Sequence, residues 1–121
     1  MNVSEVMARY LKTAGIRHLF GYPGDPSVEF LEGCRREGME FVLARREGTA
    51  GLMAEAYGML TGKPGVALST LGPGSTNLVN SVANALLDRT PMIAISGQID
   101  TKRLPTFTHQ VIDHNALFGP I

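Results

Sequence analysis

Hydrophobic and polar positions near the N-terminus follow helical spacing. The apolar positions predict a helix with one apolar stripe, formed by Val3, Val6, Met7, Tyr10, Leu11 and Ala14. Asn2 and Glu5 are spaced as in a capping box, and Gly15 is a suitable C-terminal stop. We expect a short strand around residues 18–20 to follow this helix.

The strand–helix unit then repeats along the chain. Asp25 and Pro26 are typical of an N-cap followed by proline, and they predict a helix that runs to about Arg36. The later elements are predicted as strands over 39–43, 65–69 and 92–95, with helices from 47 to about 60 and around 78–86. Such alternation favours a three-layer α/β fold, in which helices cover both faces of a parallel sheet. We interpret residues 1–121 as one domain.

Composition limits the classes of protein that this chain can belong to. Hydrophobic residues make up 44% and charged residues 18%, which excludes a disordered tail or a coiled coil. Eleven basic side chains balance eleven acidic ones, which argues against a nucleic-acid surface. The single cysteine, Cys34, excludes an internal disulfide, and we expect it to be a small buried apolar group. No apolar run approaches the ~20 residues of a membrane span, so we predict a cytoplasmic domain.

Three distinctive segments follow predicted strands: Gly21–Gly24, Glu47 and Gly72–Asn77. In parallel sheets, ligands bind beyond the carboxyl ends of the strands, so we expect these segments to share one rim. Unpaired N–H groups at a helix start can hold an anion or a polar ligand atom. From spacing alone, however, a tight turn with Ser75 or Thr76 as N-cap is the favoured interpretation of the last segment. No dinucleotide or Walker motif is present.

Glu47 has two possible roles. At a helix N-terminus a carboxylate gains about 0.3–1 kcal/mol from the helix dipole, and local sequence narrowly favours this structural role. If the side chain enters an apolar cleft instead, it becomes a candidate acid–base group. His109 and His114 would suit one face of a helix, but without a third ligand we predict no metal site.

Short motifs occur in a definite order over nearly the whole chain. They are Gly21–Gly24, Arg46–Glu47, Met53–Gly58, Thr61–Gly65, Gly72–Asn77, Ala85–Asp88 and Gly97–Gln98. Together they resemble the N-terminal pyrimidine-binding domain of thiamine diphosphate-dependent enzymes of the acetolactate synthase, pyruvate oxidase and benzoylformate decarboxylase type. That resemblance implies a thiamine diphosphate-binding fold, flavodoxin-like in outline.

The resemblance also implies roles for individual residues. The carboxylate that matches Glu47 hydrogen-bonds a ring nitrogen of the cofactor's aminopyrimidine and promotes the imino tautomer that leads to the reactive ylid. The residues that match the wall around the pyrimidine are Gly72, Pro73, Gly74 and Asn77. Those that match the substrate channel are Pro23, Gly24, His109 and Gln110. Of these, Pro23 and Gly24 are also expected to bind the cofactor.

The chain departs from the family pattern in two respects. Arg46 and Gly48 stand where the family often has histidine and glutamine around the glutamate. Family members are also several times longer, and a separate domain holds their diphosphate and magnesium. We therefore expect a fragment, a truncated product or one subunit of a split enzyme, which pairs with a diphosphate-binding domain in a homo-oligomer that acts on 2-oxo acids.

Two other functions are compatible with the sequence. One is a non-catalytic interaction or assembly domain with the same fold, which predicts an exposed apolar face. The other is a flavodoxin-like module that binds an anion at the same rim.

Overall fold

The computed structural model describes residues 2–106 and 108–121. In chain order its elements are α1 (Val3–Thr13), β1 (His18–Gly21), α2 (Val28–Arg36), β2 (Glu40–Leu43), α3 (Glu47–Thr61), β3 (Gly65–Ser69), α4 (Pro73–Leu87), β4 (Met92–Ser96) and α5 (His114–Phe118). The alternation of strand and helix predicted from the sequence is confirmed.

The four strands form one parallel sheet in the order β2-β1-β3-β4. Leu19 of β1 lies opposite Phe41 on one side and Val66 on the other. The strand order reverses between β1 and β3, because β2 lies on one side of β1 and the later strands on the other. Ligand sites of such sheets lie at this switch point, beyond the carboxyl ends of the strands. The loops that leave β1 and β3 are the two glycine-rich segments.

Helices cover both faces of the sheet, as the sequence predicts. On one face α1 and α2 enclose the larger core, which contains Ala8, Ile16, Leu19, Phe30, Cys34, Met39, Val66 and Leu68. On the other face α3 and α4 pack against a smaller core of Ala54, Ala67 and Leu78. Every residue of β3 is buried, because this strand is covered on both faces and has a neighbour on each side.

The apolar stripe predicted on α1 is only partly buried. Val3, Val6, Met7 and Tyr10 are exposed, whereas Leu11 is partly buried and packs against the larger core. Ala8 is the fully buried residue of the helix, and its Cβ lies 3.3 Å from the place that a Cβ of Gly33 would take. Small residues thus let α1 and α2 approach closely.

Two predicted helix starts are wrong. Asp25 does not cap α2, because a 3₁₀ turn over Asp25–Ser27 precedes that helix. Neither Ser75 nor Thr76 caps α4, which begins at Pro73 with Gly72 at the N-cap position. Helix α1 does have the predicted capping box between Asn2 and Glu5.

Three further features limit the chemistry of the fold. Cys34 is buried, as expected, and desolvation raises the pKa of its thiol to about 11. A thiol with such a pKa stays protonated and unreactive near neutral pH. Within 2–106 and 108–121, no helix has the length and apolar character needed to cross a bilayer. The same residues contain no cluster of three or more His, Cys, Asp or Glu side chains able to hold a metal ion.

Candidate functional site

Glu47 is the first residue of α3 and follows the end of β2 by a short loop. Arg46 takes the N-cap position in an extended conformation, with φ −155° and ψ 140°, and its side chain makes no cap hydrogen bond. The Glu47 side chain turns inward, so that the residue is only 6% exposed. The carboxylate therefore lies inside the molecule at the rim where the sheet's ligand site is expected.

Asn77 and Gly74, both on α4, face the two oxygens of this carboxylate. The Asn77 Nδ2 donates a hydrogen bond to Glu47 Oε2 at 3.1 Å. A Cβ on Gly74 would lie 2.9 Å from Glu47 Oε1, closer than real Cβ contacts allow. Glycine at position 74 thus lets α4 approach Oε1 closely, because Oε1 occupies the place that a side chain there would need. Oε1 has no hydrogen-bond partner in the part of the chain that the structure describes.

Thr70 joins the two glycine-rich loops. Its Cγ2 lies 2.7 Å from the place of a Cβ on Gly74, and its Oγ1 would collide with a Cβ on Gly24. Both glycines are therefore needed for the loops to close around this one side chain. Sequence reasoning missed Thr70, although its place directly after a fully buried strand and before a glycine turn is a usable signal.

A cavity of about 510 Å³ opens on the other side of Thr70. Gly24, His109 and Gln110 line it, which brings together three of the residues predicted to face a substrate channel. Pro23, the fourth, is exposed and does not line this cavity. Pro73 is likewise exposed, at the first position of α4.

Gly72 links this cavity to the start of α4. It has a φ of +56°, and a Cβ at this position would collide with the carbonyl oxygen of Gln110. On its other side, the Gly72 N–H donates to His114 Nε2 at 3.4 Å. His114, whose spacing from His109 gave only a weak case for a metal site, is a partner of the glycine turn.

Ser75 is fully buried beneath the same turn. Its hydroxyl oxygen lies within hydrogen-bond distance of the carbonyl oxygen of Thr70, at 3.0 Å, and of the hydroxyl of Ser96. The His114 Nε2 lies 3.0 Å from the Ser75 hydroxyl oxygen. Since Ser75 bonds across to other elements, its role is to fix α4 onto β3 and β4, which the N-cap prediction overlooked.

A second buried carboxylate lies on the same two helices. Glu55 of α3 is only 3% exposed, and the Nδ2 of Asn84 on α4 donates to its Oε1 at 2.7 Å. Between the two carboxylate pairs, Gly51 lies so close to Ser81 that any Cβ there would collide with the hydroxyl. Sequence analysis did not single out Glu55, although positions 47, 51 and 55 share one helix face at i, i+4 spacing.

Fold and site together define a doubly wound α/β domain with a buried carboxylate beside the switch point of its sheet. The chain belongs to the family described as "Thiamine pyrophosphate enzyme, N-terminal TPP binding domain", whose model matches residues 1–117. The family resemblance read from the ordered motifs is thereby confirmed.

Similar proteins agree with this assignment. The chain is 40% identical to a probable acetolactate synthase large subunit of Methanococcus aeolicus over all of its 121 residues, which are 20% of that relative. It is 38% identical to the acetolactate synthase of Bacillus subtilis over 118 residues, 98% of this chain and 21% of the relative. The thiamine diphosphate-dependent 4-hydroxybenzoylformate decarboxylase of Rhodococcus jostii RHA1 superimposes with a TM-score of 0.91 at 26% identity, over 99% of this chain and 23% of that one. The chain thus spans about a fifth of the length of these relatives.

Proposed function

We propose that this domain binds the aminopyrimidine end of thiamine diphosphate and activates it through Glu47. The complete enzyme would decarboxylate or carboligate 2-oxo acids. The observation that carries the proposal is the buried Glu47 carboxylate, with Asn77 on Oε2 and no hydrogen-bond partner for Oε1 among the described residues.

The residues present fit a heteroaromatic ligand with a ring nitrogen. Oε1 is an acceptor without a hydrogen-bond partner among the described residues, and glycine at position 74 adds no side chain that would displace it. A largely buried carboxylate strengthens its interaction with a ligand, because water competes weakly for it. The N-terminus of α3 adds a favourable dipole for the ionised form.

Glu47 and Asn77 have different roles in the proposed site. The Asn77 amide holds Oε2, which leaves Oε1 directed at the ligand side and able to share a proton with the ring nitrogen. When bound, thiamine diphosphate supplies the carbon nucleophile and electron sink for the chemistry of 2-oxo acids. The contribution of this chain is to position the pyrimidine and to hold that proton.

Other parts of the proposal rest on the neighbouring loops. Gly72, Pro73, Gly74 and Asn77 form the wall around the pyrimidine, and Gly24, His109 and Gln110 border the cavity that would admit substrate. Pro23 would act at the mouth of this channel, since its side chain is exposed. The diphosphate and magnesium would be held by another domain or subunit of a cytoplasmic homo-oligomer.

The test compares two glutamates of one helix in the intact enzyme. Glu47→Gln should slow exchange of the thiazolium C2 proton of bound thiamine diphosphate by at least about 100-fold, the low end of acid–base contributions. Glu55→Gln is the matched control, because it makes the same change at a buried carboxylate bonded by an asparagine. Normal exchange in Glu47→Gln would refute the role.

A second candidate function is assembly without catalysis. Its support is the exposure of large apolar side chains on the outer helices, with Leu60 87% and Leu87 80% exposed at the ends of α3 and α4. Sedimentation of the intact protein tests it. Replacing both leucines by serine should lower the oligomeric state if this face is the interface, and an unchanged state would contradict that function.

A further inference from the structure

The segment from Gln110 to His114 lies across the first turn of α4. The Gln110 carbonyl occupies the space of a side chain at Gly72, while the His114 ring accepts the Gly72 N–H. Both Gly72 and Gln110 have positive φ, +56° and +58°. The backbone at Gly72 is therefore held from two sides by residues about forty positions later in the chain.

The contacts determine which nitrogen of His114 carries the proton. A backbone N–H can only donate, so the contact with Gly72 needs Nε2 as the acceptor and the proton of the neutral ring on Nδ1. In this tautomer the Ser75 hydroxyl, 3.0 Å from Nε2, also donates to Nε2. A protonated ring would direct an N–H at the Gly72 N–H and lose that hydrogen bond. Desolvation lowers the pKa of His114, which favours the neutral ring.

Few charges act on this ring. The negative charge of Asp113 opposes the effect of desolvation, although its carboxylate also caps α5 through the Ala116 N–H. The groups that α4 and β4 contribute nearby are the neutral hydroxyls of Ser75 and Ser96.

The first turn of α4 connects Gly72 directly to the residues that contact Glu47. Gly72 is the N-cap, Gly74 faces Glu47 Oε1, and Asn77 bonds Glu47 Oε2. Since the turn is one hydrogen-bonded unit, with Thr76 N–H donating to the Gly72 carbonyl at 3.0 Å, a shift at Gly72 moves the residues that contact the carboxylate.

Building on the proposed function, we propose that His114 is a positioning residue for the Glu47 site. Its neutral ring holds Gly72 through Nε2, and thereby holds Gly74 and Asn77 against the carboxylate. His114 does not touch the cofactor or its reacting atoms.

The first experiment does not depend on the cofactor. In the intact protein, amide hydrogen exchange of the peptide over residues 70–76 is measured by mass spectrometry. His114→Leu should accelerate exchange in this peptide about tenfold, because a buried N–H loses its acceptor. His114→Gln, whose amide oxygen can replace Nε2, should stay within about threefold of wild type. His18→Gln, at the opposite end of β1, is the control for loss of a histidine. Exchange unchanged by His114→Leu would overturn the proposal.

The second experiment measures the dissociation constant of thiamine diphosphate. His114→Leu should weaken binding about tenfold and His114→Gln by less than about threefold. If exchange accelerates but affinity is unchanged, His114 holds the turn without positioning the site, and the proposal is wrong.

The pH profile separates positioning from a general structural role, and it needs no variant that could misfold. Because the pKa of His114 is lowered, wild-type exchange over residues 70–76, corrected for its intrinsic pH dependence, should rise only below about pH 6.5. His114→Gln should not show this rise, and a rise shared by both proteins would count against the proposal. If Glu47→Gln leaves exchange of the thiazolium C2 proton normal while the amide hydrogen exchange results are as expected, only the proposed cofactor role of Glu47 is refuted.

Discussion

Helices α3 and α4 carry two carboxylate–amide pairs of the same chemistry. Glu47 bonds Asn77 at 3.1 Å, and Glu55 bonds Asn84 at 2.7 Å. Both glutamates are buried, and they lie about 12 Å apart along the helix, given a rise of about 1.5 Å per residue. Burial and an amide partner therefore do not by themselves distinguish a ligand site from a packing contact.

Their positions in the fold do distinguish the two pairs. Glu47 lies at the helix N-terminus, beside the carboxyl ends of the strands, and Oε1 faces a glycine turn. Glu55 lies within the helix, beyond the Gly51–Ser81 contact, and its amide partner also bonds Asp88 at 3.3 Å. The comparison teaches that the switch point of the sheet, and not burial, selects the candidate catalytic carboxylate. Glu47→Gln against Glu55→Gln is its strongest test and carries the largest expected effect.

Displacing Oε1 from its place beside α4 should have the next largest effect. Gly74→Ala would place a Cβ 2.9 Å from Glu47 Oε1 and 2.7 Å from Thr70 Cγ2, so cofactor affinity should fall at least about tenfold, equal to about 1.4 kcal/mol. Titration calorimetry of the intact enzyme measures it. Gly51→Ala is the control, because its Cβ also collides, with Ser81, but farther from the site. It should lower the urea midpoint and leave the affinity of the folded protein within about threefold. Equal losses of cofactor affinity in both variants would contradict the proposed difference between the Glu47–Asn77 and Glu55–Asn84 pairs.

Removing the side-chain amide of Asn77 or of Asn84 should have a smaller effect. Asn77→Ala leaves Glu47 Oε2 buried without its donor, so the free energy of unfolding should fall by about 1–3 kcal/mol and cofactor affinity should fall with it. Asn84→Ala should cost less stability, because Asn84 is exposed and water can replace its amide, and affinity should not change. Urea unfolding and calorimetry check both quantities. Loss of affinity in Asn84→Ala would show that the two pairs act as one unit.

A third carboxylate, Glu32, should give the smallest effect of all. Hydrogen bonds from Arg35 and Arg36 lower the pKa of Glu32 to about 2, yet the group lies at the surface of α2. Exposed ion pairs contribute little to stability because solvent screens them. At pH 7, Glu32→Gln should shift the urea midpoint less than either asparagine variant.

The pH dependence of Glu32 has a definite sign. Its folded pKa is lowered, so its contribution is present above the ordinary pKa of about 4.5 and is lost as the pH falls towards 2. The difference in urea midpoint between wild type and Glu32→Gln should therefore shrink over that range. A difference that grows on acidification would contradict this assignment.

Much of the fold could be predicted from the sequence because local signals agreed with each other. The apolar run of β3, the capping box of α1 and the glycines after β1 and β3 each mark an element or its end. Helix α1 shows where this reasoning stops. Its apolar residues form a stripe by spacing, but Val3, Val6, Met7 and Tyr10 face solvent, while Ala8 and Leu11 pack in the core.

The residues of the candidate site likewise include some that the sequence predicts and some that it does not. Glu47 and the glycine turns are short, ordered signals, and the family model confirms the resemblance that they carry. The roles of Ser75 and His114 could not be found this way, because each acts through partners that folding brings from distant elements.

The order of elements and the parallel α/β class were determined by the sequence alone, since they depend on local spacing and composition. Glu47 was singled out by its place in the ordered motifs, whereas local spacing alone favoured a structural role for it. Only the tertiary structure decided which oxygen of Glu47 accepts the Asn77 amide, why position 74 has no side chain, and which residues contact Gly72. These depend on distances between atoms far apart along the chain, which a pattern of residue types does not specify.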